Sequence, residues 1–402
     1  MIELINRNIK IYYEKYRTLI IFLLFFPHVY HMILPNGSIA IVEFIFVRLR
    51  LLSLFLLLLL FFSYKRKPSK LLFILAVLEI WVLISTLLNN PSNSNKAILY
   101  VCSSFSIAMI VELNVDDIKK LVSGLLPAFE LHIYPNLLTV LLYRNISSEN
   151  VYVGYHENNF FLGTKNDLIL YLFPAFCLCI LYYLKTKKVV RPLILSITII
   201  LTILLSGSVT TLIAFALFIA VFVFIYFVRK NNVKCVYLYV LIPILFLLIV
   251  VLPYMIVGKN VIVDFIMDNI YYRHSFISRT AIWVNASEYV KIKPITGYGY
   301  INTSLPFVDD VGRYYYGNAH CDLIQRILNY GLIGLILFIS FNILLLKKVN
   351  SNRSSIYKTL FISFICAIYI TFISQTYHRF FEFYLILFLA NNIEYLDTST
   401  KN

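Results

Sequence analysis

One feature narrows the possible folds more than any other: long apolar stretches recur along the whole chain, separated by short charged punctuation. A helix needs about 20 apolar residues to cross a bilayer core. Inside that core every backbone N–H and C=O must be paired within the protein, so only helices and closed barrels span it. Barrel strands alternate apolar and polar residues over about ten positions, whereas runs such as LLSLFLLLLLFF at 51–62 do not. With 60% hydrophobic and 14% charged residues, the chain also lacks the polar surface that a water-soluble protein needs. The reading is an all-α polytopic membrane protein with about 12 spanning helices. They are expected over 18–35, 38–62, 71–88, 97–113, 121–143, 168–184, 190–206, 209–228, 235–257, 327–346, 359–376 and 380–395.

The formal net charge of +15 would suit a nucleic-acid partner, but the positions of the cations explain it differently. Twenty-two of the 35 Lys and Arg fall in 1–17, 63–70, 114–120, 185–191, 229–234, 347–358 and the tail, all on one side of the predicted helices; eleven fall on the other. Such an excess in short connections places both termini in the cytoplasm, where cationic loops face an anionic leaflet. Membrane lipid is the implied partner, and no nucleic acid is called for. The first 17 residues are charged and lead into apolar sequence without a small-residue cleavage site, so no removable signal peptide is expected.

Two segments on the opposite, external side are longer than tethers need to be. One runs from Arg144 to Asp167, the other from Gly258 to Arg326. The chain therefore divides into a nine-helix bundle over 1–257, a large external loop over 258–326 that carries the chemistry, and a three-helix segment with its tail over 327–402. No internal repeat is present, which weighs against transporters built from repeated halves. Six cysteines lie mostly within apolar stretches, without metal-ligand or redox spacing, and read as core residues. His28 and His31 are one helical turn apart but have no carboxylate beside them, so no metal is expected. Glu43, Arg48, Arg50, Glu79, Glu130 and His132 lie within apolar stretches; pairing between helices is the expectation, a proton or ion pathway the alternative.

An external loop has no access to cytoplasmic ATP or nucleotide-sugars, so chemistry there requires a donor that is already activated, such as a lipid-diphosphate sugar. That reaction needs cations at the leaving diphosphate and a base for the acceptor hydroxyl. Arg279, in ISRTAIW with Ser278 as a possible helix N-cap, offers a fork that binds two oxygens together; a snorkelling arginine is the plain alternative. His320, in YYYGNAHCDLIQRILNYGLIGLILF, offers an imidazole near the membrane surface, with Asp322 and Gln325 placed to orient it. The alternative is an interfacial histidine bonded to backbone. Gly297 and Gly299 in GYGY mark a tight turn, while Gly331 and Gly334 allow close approach of a helix. Tyrosines including Tyr298 either stack on sugars or form an interfacial belt.

The ordered set GTKND, SGS, SRTAIW, PITGYGY and NAHCDLIQRILNYGLIGL, over about residues 160–350, resembles the O-antigen and capsular polysaccharide polymerase and O-antigen ligase superfamily of bacterial envelopes. The resemblance implies a GT-C-like membrane architecture in the bacterial plasma membrane. It also implies glycosyl transfer from undecaprenyl-diphosphate-linked oligosaccharide on the external face, without metal or nucleotide, and it allows for a chain-length regulator as partner. Position by position, the family's loop arginine corresponds to Arg279 and its loop histidine, the base, to His320. One departure stands out: where the family often has Arg after the serine opening the eighth helix, this chain reads Ser208 then Val209. Arg273, Lys165 or Arg313 are candidate substitutes, with Arg326 and Tyr298 as further contacts to the diphosphate or glycan. Polymerisation of repeat units is the favoured activity, with ligation or a lipid-linked oligosaccharide flippase as alternatives. Short loops and a charged central cavity would mark the flippase, and the segment from Gly258 to Arg326 argues against it.

Overall fold

The computed structural model describes residues 2–29, 40–143, 159–227, 273–300, 305–308, 314–316, 318–352, 355–372 and 381–398. Helices dominate: α1 (Ile2–Val29), α2 (Ala40–Ser63), α3 (Lys70–Asn89), α4 (Ser94–Asn114), α5 (Ile118–Tyr143), α6 (Ile169–Thr186), α7 (Val190–Leu205) and α8 (Val209–Phe227) come first. They are followed by α9 (Arg273–Ile292), α10 (Asp322–Ser351), α11 (Ile356–Thr371), α12 (Phe381–Asn391) and α13 (Ile393–Thr398). Two short antiparallel hairpins interrupt them, β1 (Asn159–Phe160) with β2 (Gly163–Thr164), and β3 (Pro306–Val308) with β4 (Tyr314–Tyr316). Among the described residues six spans are long and apolar enough to cross a membrane, and α7, α11 and α12 are shorter apolar helices. The protein is an all-α polytopic membrane protein. The expected helix over 235–257 lies outside the described residues.

Successive helices run up and down, so their ends gather at two poles. The ends of α3, α5, α7 and α11 and the starts of α4, α6, α8 and α10 share one, here called the loop end. The connections 64–69, 115–117, 187–189 and the C-terminal helices gather at the other, the tail end. Two boundaries differ from the sequence expectation. Helix α1 begins at Ile2, with a kink at Tyr16 (φ −111°, ψ 20°), so the charged leader is itself helical. Its Tyr13 and Arg17 are buried and reach Asn114 and Asp116 at the α4–α5 corner, Arg17 pairing with Asp116 at 2.6 Å. Helix α10 begins at Asp322, five residues earlier than its apolar run suggested.

Several polar groups within the bundle find partners on other helices, which lowers their cost in lipid, whereas the carboxylate oxygens of the buried Glu79 meet no hydrogen-bond partner within normal geometry among the described residues. Arg191 of α7 grips Glu130 of α5 through two parallel bonds of 2.7 and 2.6 Å, the interhelical pairing expected for Glu130. Arg50 of α2 donates to the carbonyl of Pro27 at 2.8 Å, one of the last carbonyls of α1 that no helical N–H can reach. His28 is fully buried, each ring nitrogen 3.1 Å from a serine hydroxyl, Ser103 and Ser53; it is a core histidine.

Candidate active site

The loop end is organised around a break in α10. Gly331 has φ +65°, ψ −168°, which interrupts the helix and frees the carbonyls before it. The PITGYGY segment takes them up. Tyr298 N–H donates to Leu328 O and Gly299 N–H to Asn329 O, both at 2.7 Å, while Leu332 N–H returns to Pro294 O at 2.8 Å. Helix α3 closes the junction: Ser85 Oγ donates to Thr296 O (2.6 Å) and Trp81 Nε1 to Tyr330 O (2.8 Å), while Thr86 Oγ1 accepts from Tyr300 N (2.9 Å). Non-helical backbone inside a membrane bundle is tolerated where freed groups are paired, as the carbonyls of Leu328, Asn329 and Tyr330 and the N–H of Leu332 are here. The glycines are structural here: a Cβ on Gly331 would lie 2.0 Å from Ile295 O, and one on Gly297 2.5 Å from the Asn329 carbonyl carbon.

The junction fixes the short loop that carries His320. Asn318 Oδ1 accepts from His320 N–H at 3.0 Å, closing a side-chain turn. Gln325 Oε1, one turn into α10, reaches back to accept from Ala319 N–H at 2.7 Å, and its amide nitrogen donates to Asn329 Oδ1 at 2.9 Å. Asp322 N–H donates to Phe372 O at the end of α11. Held on these sides, His320 adopts φ +48°, the left-handed region, which a histidine visits uncommonly and at a cost. Its side chain is half-buried. Burial pushes the neighbouring Cys321 thiol up to about 12, so it is no nucleophile.

Helix α9 docks on this loop through Trp283, which is buried and donates from Nε1 to Ala319 O at 3.0 Å. Residue 279 lies one turn before 283 in the same helix. Arg273 opens the same helix. Ser278 is not an N-cap, because α9 begins five residues before it; the expected helix start fails because the helix is long enough to include the polar residues ahead of the ISRTAIW stretch.

At the same pole the GTKND and SGS motifs meet, with Ser208 Oγ donating to Asn166 Oδ1 at 3.1 Å. Asp167 Oδ2 accepts from Thr164 Oγ1 (2.8 Å) and closes the turn, leaving Lys165, half-buried, at its tip. A Cβ on Gly207, which has φ +68°, would meet nothing within 4 Å, so there is open space beside the position where the expected arginine is absent.

The remaining candidates separate. Arg326 is 7% exposed, its Nε 2.6 Å from Asp322 Oδ2 and its guanidinium 3.7 Å from the Phe338 ring centre; the structure puts it in the second turn of α10, not at the end of a loop. Tyr298 donates its hydroxyl to Tyr289 O at 3.1 Å, and its half-buried ring lies 5.0 Å from Lys293 Nζ. Burial raises its phenol above the ordinary value. Arg313 lies outside the described residues. Sequence reasoning gave Asn318, Asn329, Trp81 and Ser85 no role. Gln325 carried a readable signal, since an amide in the first helical turn that reaches back past the cap is a variant of the capping box.

Residues 193–339 match the family model described as O-Antigen ligase. The stretch runs from the first turns of α7 past the break in α10 and contains Ser208, Arg279 and His320. No curated protein matches the chain. The match supports the superfamily of O-antigen ligases and polymerases to which the motifs are similar.

Proposed function

We propose that this protein lengthens a bacterial surface polysaccharide, O-antigen or capsule, by transferring undecaprenyl-diphosphate-linked oligosaccharide to an acceptor glycan on the external face. The observation that carries the reading is the hydrogen bond from Trp283 to Ala319. It fastens the helix bearing Arg279 to the strained loop bearing His320, so a cation for the diphosphate and a base for the acceptor share one scaffold.

In this mechanism the His320 imidazole takes the proton of the acceptor hydroxyl as the oxygen attacks the anomeric carbon of the donor. The bond between that carbon and the diphosphate oxygen breaks, and undecaprenyl diphosphate departs with its charge held by Arg279. Lys165 supplies the second cation: it is adjacent to Asn166, whose side chain holds Ser208 beside the missing arginine. Arg273 and Arg313 extend the basic surface, and Tyr298 offers a ring to a sugar face. Arg326 acts through Asp322 as a positioning residue. Activity at this site calls for no metal or nucleotide.

Ligation of finished polymer to its final acceptor is the second reading, favoured by the description of the matching family. One gel separates the two. In cells lacking the protein, the native chain should restore a ladder of lengths, while His320→Ala at matched membrane level should leave single repeat units. Polymer that accumulates at full length in the deletion strain, without reaching its acceptor, would give the ligase reading; a normal ladder from His320→Ala would remove His320 from the chemistry.

A further inference from the structure

At the tail end, opposite His320, a cavity of about 320 Å³ opens among the ends of α3, α4, α10 and α12 and the short helix α13. It is lined by Arg66 and Lys67 from the α2–α3 connection and Lys70 at the start of α3, with Lys348 near the end of α10, Asn391 at the end of α12 and Asn392 after it. Its volume is at the lower end of the range for ligand pockets. Two carboxylates also border it, but both are engaged. Glu112, 4% exposed, accepts from the backbone N–H and hydroxyl of Ser69 at the start of α3, and Glu394 pairs with Lys348 at 2.8 Å. Among the described residues no salt bridge takes up Arg66, Lys67 or Lys70. Leu71 and Leu344 give the cavity an apolar wall.

Three cations held in no salt bridge, of which Arg66 also feels the nearby Glu112 and Asp116 carboxylates, stand beside amides and an apolar wall at the edge of a membrane bundle and match one kind of ligand. We propose that this cavity binds a phosphate group, presented as the headgroup of an anionic phospholipid or as free phosphate. Basic pockets between membrane helices are suited to lipid phosphate, whose oxygens accept from Arg and Lys while the glycerol and upper chain lie on the apolar side. The site is separate from the proposed chemistry and does not rest on it.

The test uses the purified full-length chain in neutral detergent, stripped of lipid and examined by native mass spectrometry with added phosphatidylglycerol, phosphatidylcholine or inorganic phosphate. One phosphatidylglycerol per chain should be retained in preference to phosphatidylcholine. Occupancy should fall about ten-fold in R66Q/K67Q/K70Q, a change of about 1.4 kcal/mol, and hold in K119Q/K120Q, which removes two charges at the same pole. Lys67→Glu alone, on an exposed side chain, should weaken retention without disturbing the fold. Inorganic phosphate that displaces the lipid and binds by itself identifies free phosphate as the source; displacement of nothing identifies the lipid. No preference for the anionic lipid together with no phosphate binding, or equal losses in the pocket and control variants, overturns the proposal.

Discussion

A histidine at φ +48° pays for its backbone, since the left-handed region costs an L-residue roughly 1–2 kcal/mol. The bonds from Asn318, Gln325 and Trp283 over-determine the loop, so the conformation persists despite that cost. Backbone and imidazole can therefore be separated by mutation. His320→Gly relieves the strain and His320→Ala keeps it, so the glycine variant should be the more stable by about 1 kcal/mol, while neither lengthens polymer. Thermal unfolding of the two purified variants in one detergent measures the difference; a less stable glycine variant would refute the left-handed assignment. The local string NAHCD offered this histidine as a candidate, and the family resemblance gave it the role of base. Its supports were not legible: Trp283 reaches Ala319 across 36 residues of chain, a contact that no local pattern encodes.

The elements show why periodicity reads a spanning helix well and a broken one poorly. Helix α10 has 30 residues, or about 45 Å at 1.5 Å per residue, against a bilayer core of about 30 Å. The part after Gly331 is enough to span. The part from Asp322 to Tyr330 is buried throughout at the loop end. The apolar run flagged 327–346 and missed the first turn of the helix, because Asp322 and Arg326 look too polar for a membrane helix until they are seen to neutralise each other one turn apart. The GxxG spacing signalled a close approach, but its partner, the stretch 294–299, ends 32 residues before Gly331. Gly331→Ala places a Cβ 2.0 Å from Ile295 O in addition to the φ penalty, so it should destabilise by more than about 2 kcal/mol and lower the amount of protein in membranes. Gly207→Ala has a similar φ of +68° but open space around it, and should cost only about 1 kcal/mol. Equal unfolding temperatures for the two variants would show that the packing at the break is looser than the structure has it.

At the scale of the molecule, the proposed chemistry depends on which pole faces outward. The up-and-down run of helices brings Lys165, His320 and the helix bearing Arg279 to one pole and the connections 64–69, 115–117 and 187–189 to the other. The orientation expected from the charge excess has the tail end in the cytoplasm, against the anionic leaflet. Its basic cavity would there meet anionic headgroups, and the loop end would meet only donors already carried across on a lipid. Cysteine labelling reads this orientation directly. Five native cysteines, Cys102, Cys177, Cys179, Cys321 and Cys366, are buried and should stay silent in the folded chain, so a Cys235→Ser background suffices. In that background Lys291→Cys, at an exposed site near the end of α9, should react with an impermeant maleimide on intact cells. Lys119→Cys, at the start of α5, should react only after permeabilisation. The reverse pattern would give the loop end access to cytoplasmic nucleotide-sugars, and the physical reason for a polyprenyl-diphosphate donor would be lost even though the fold stayed the same.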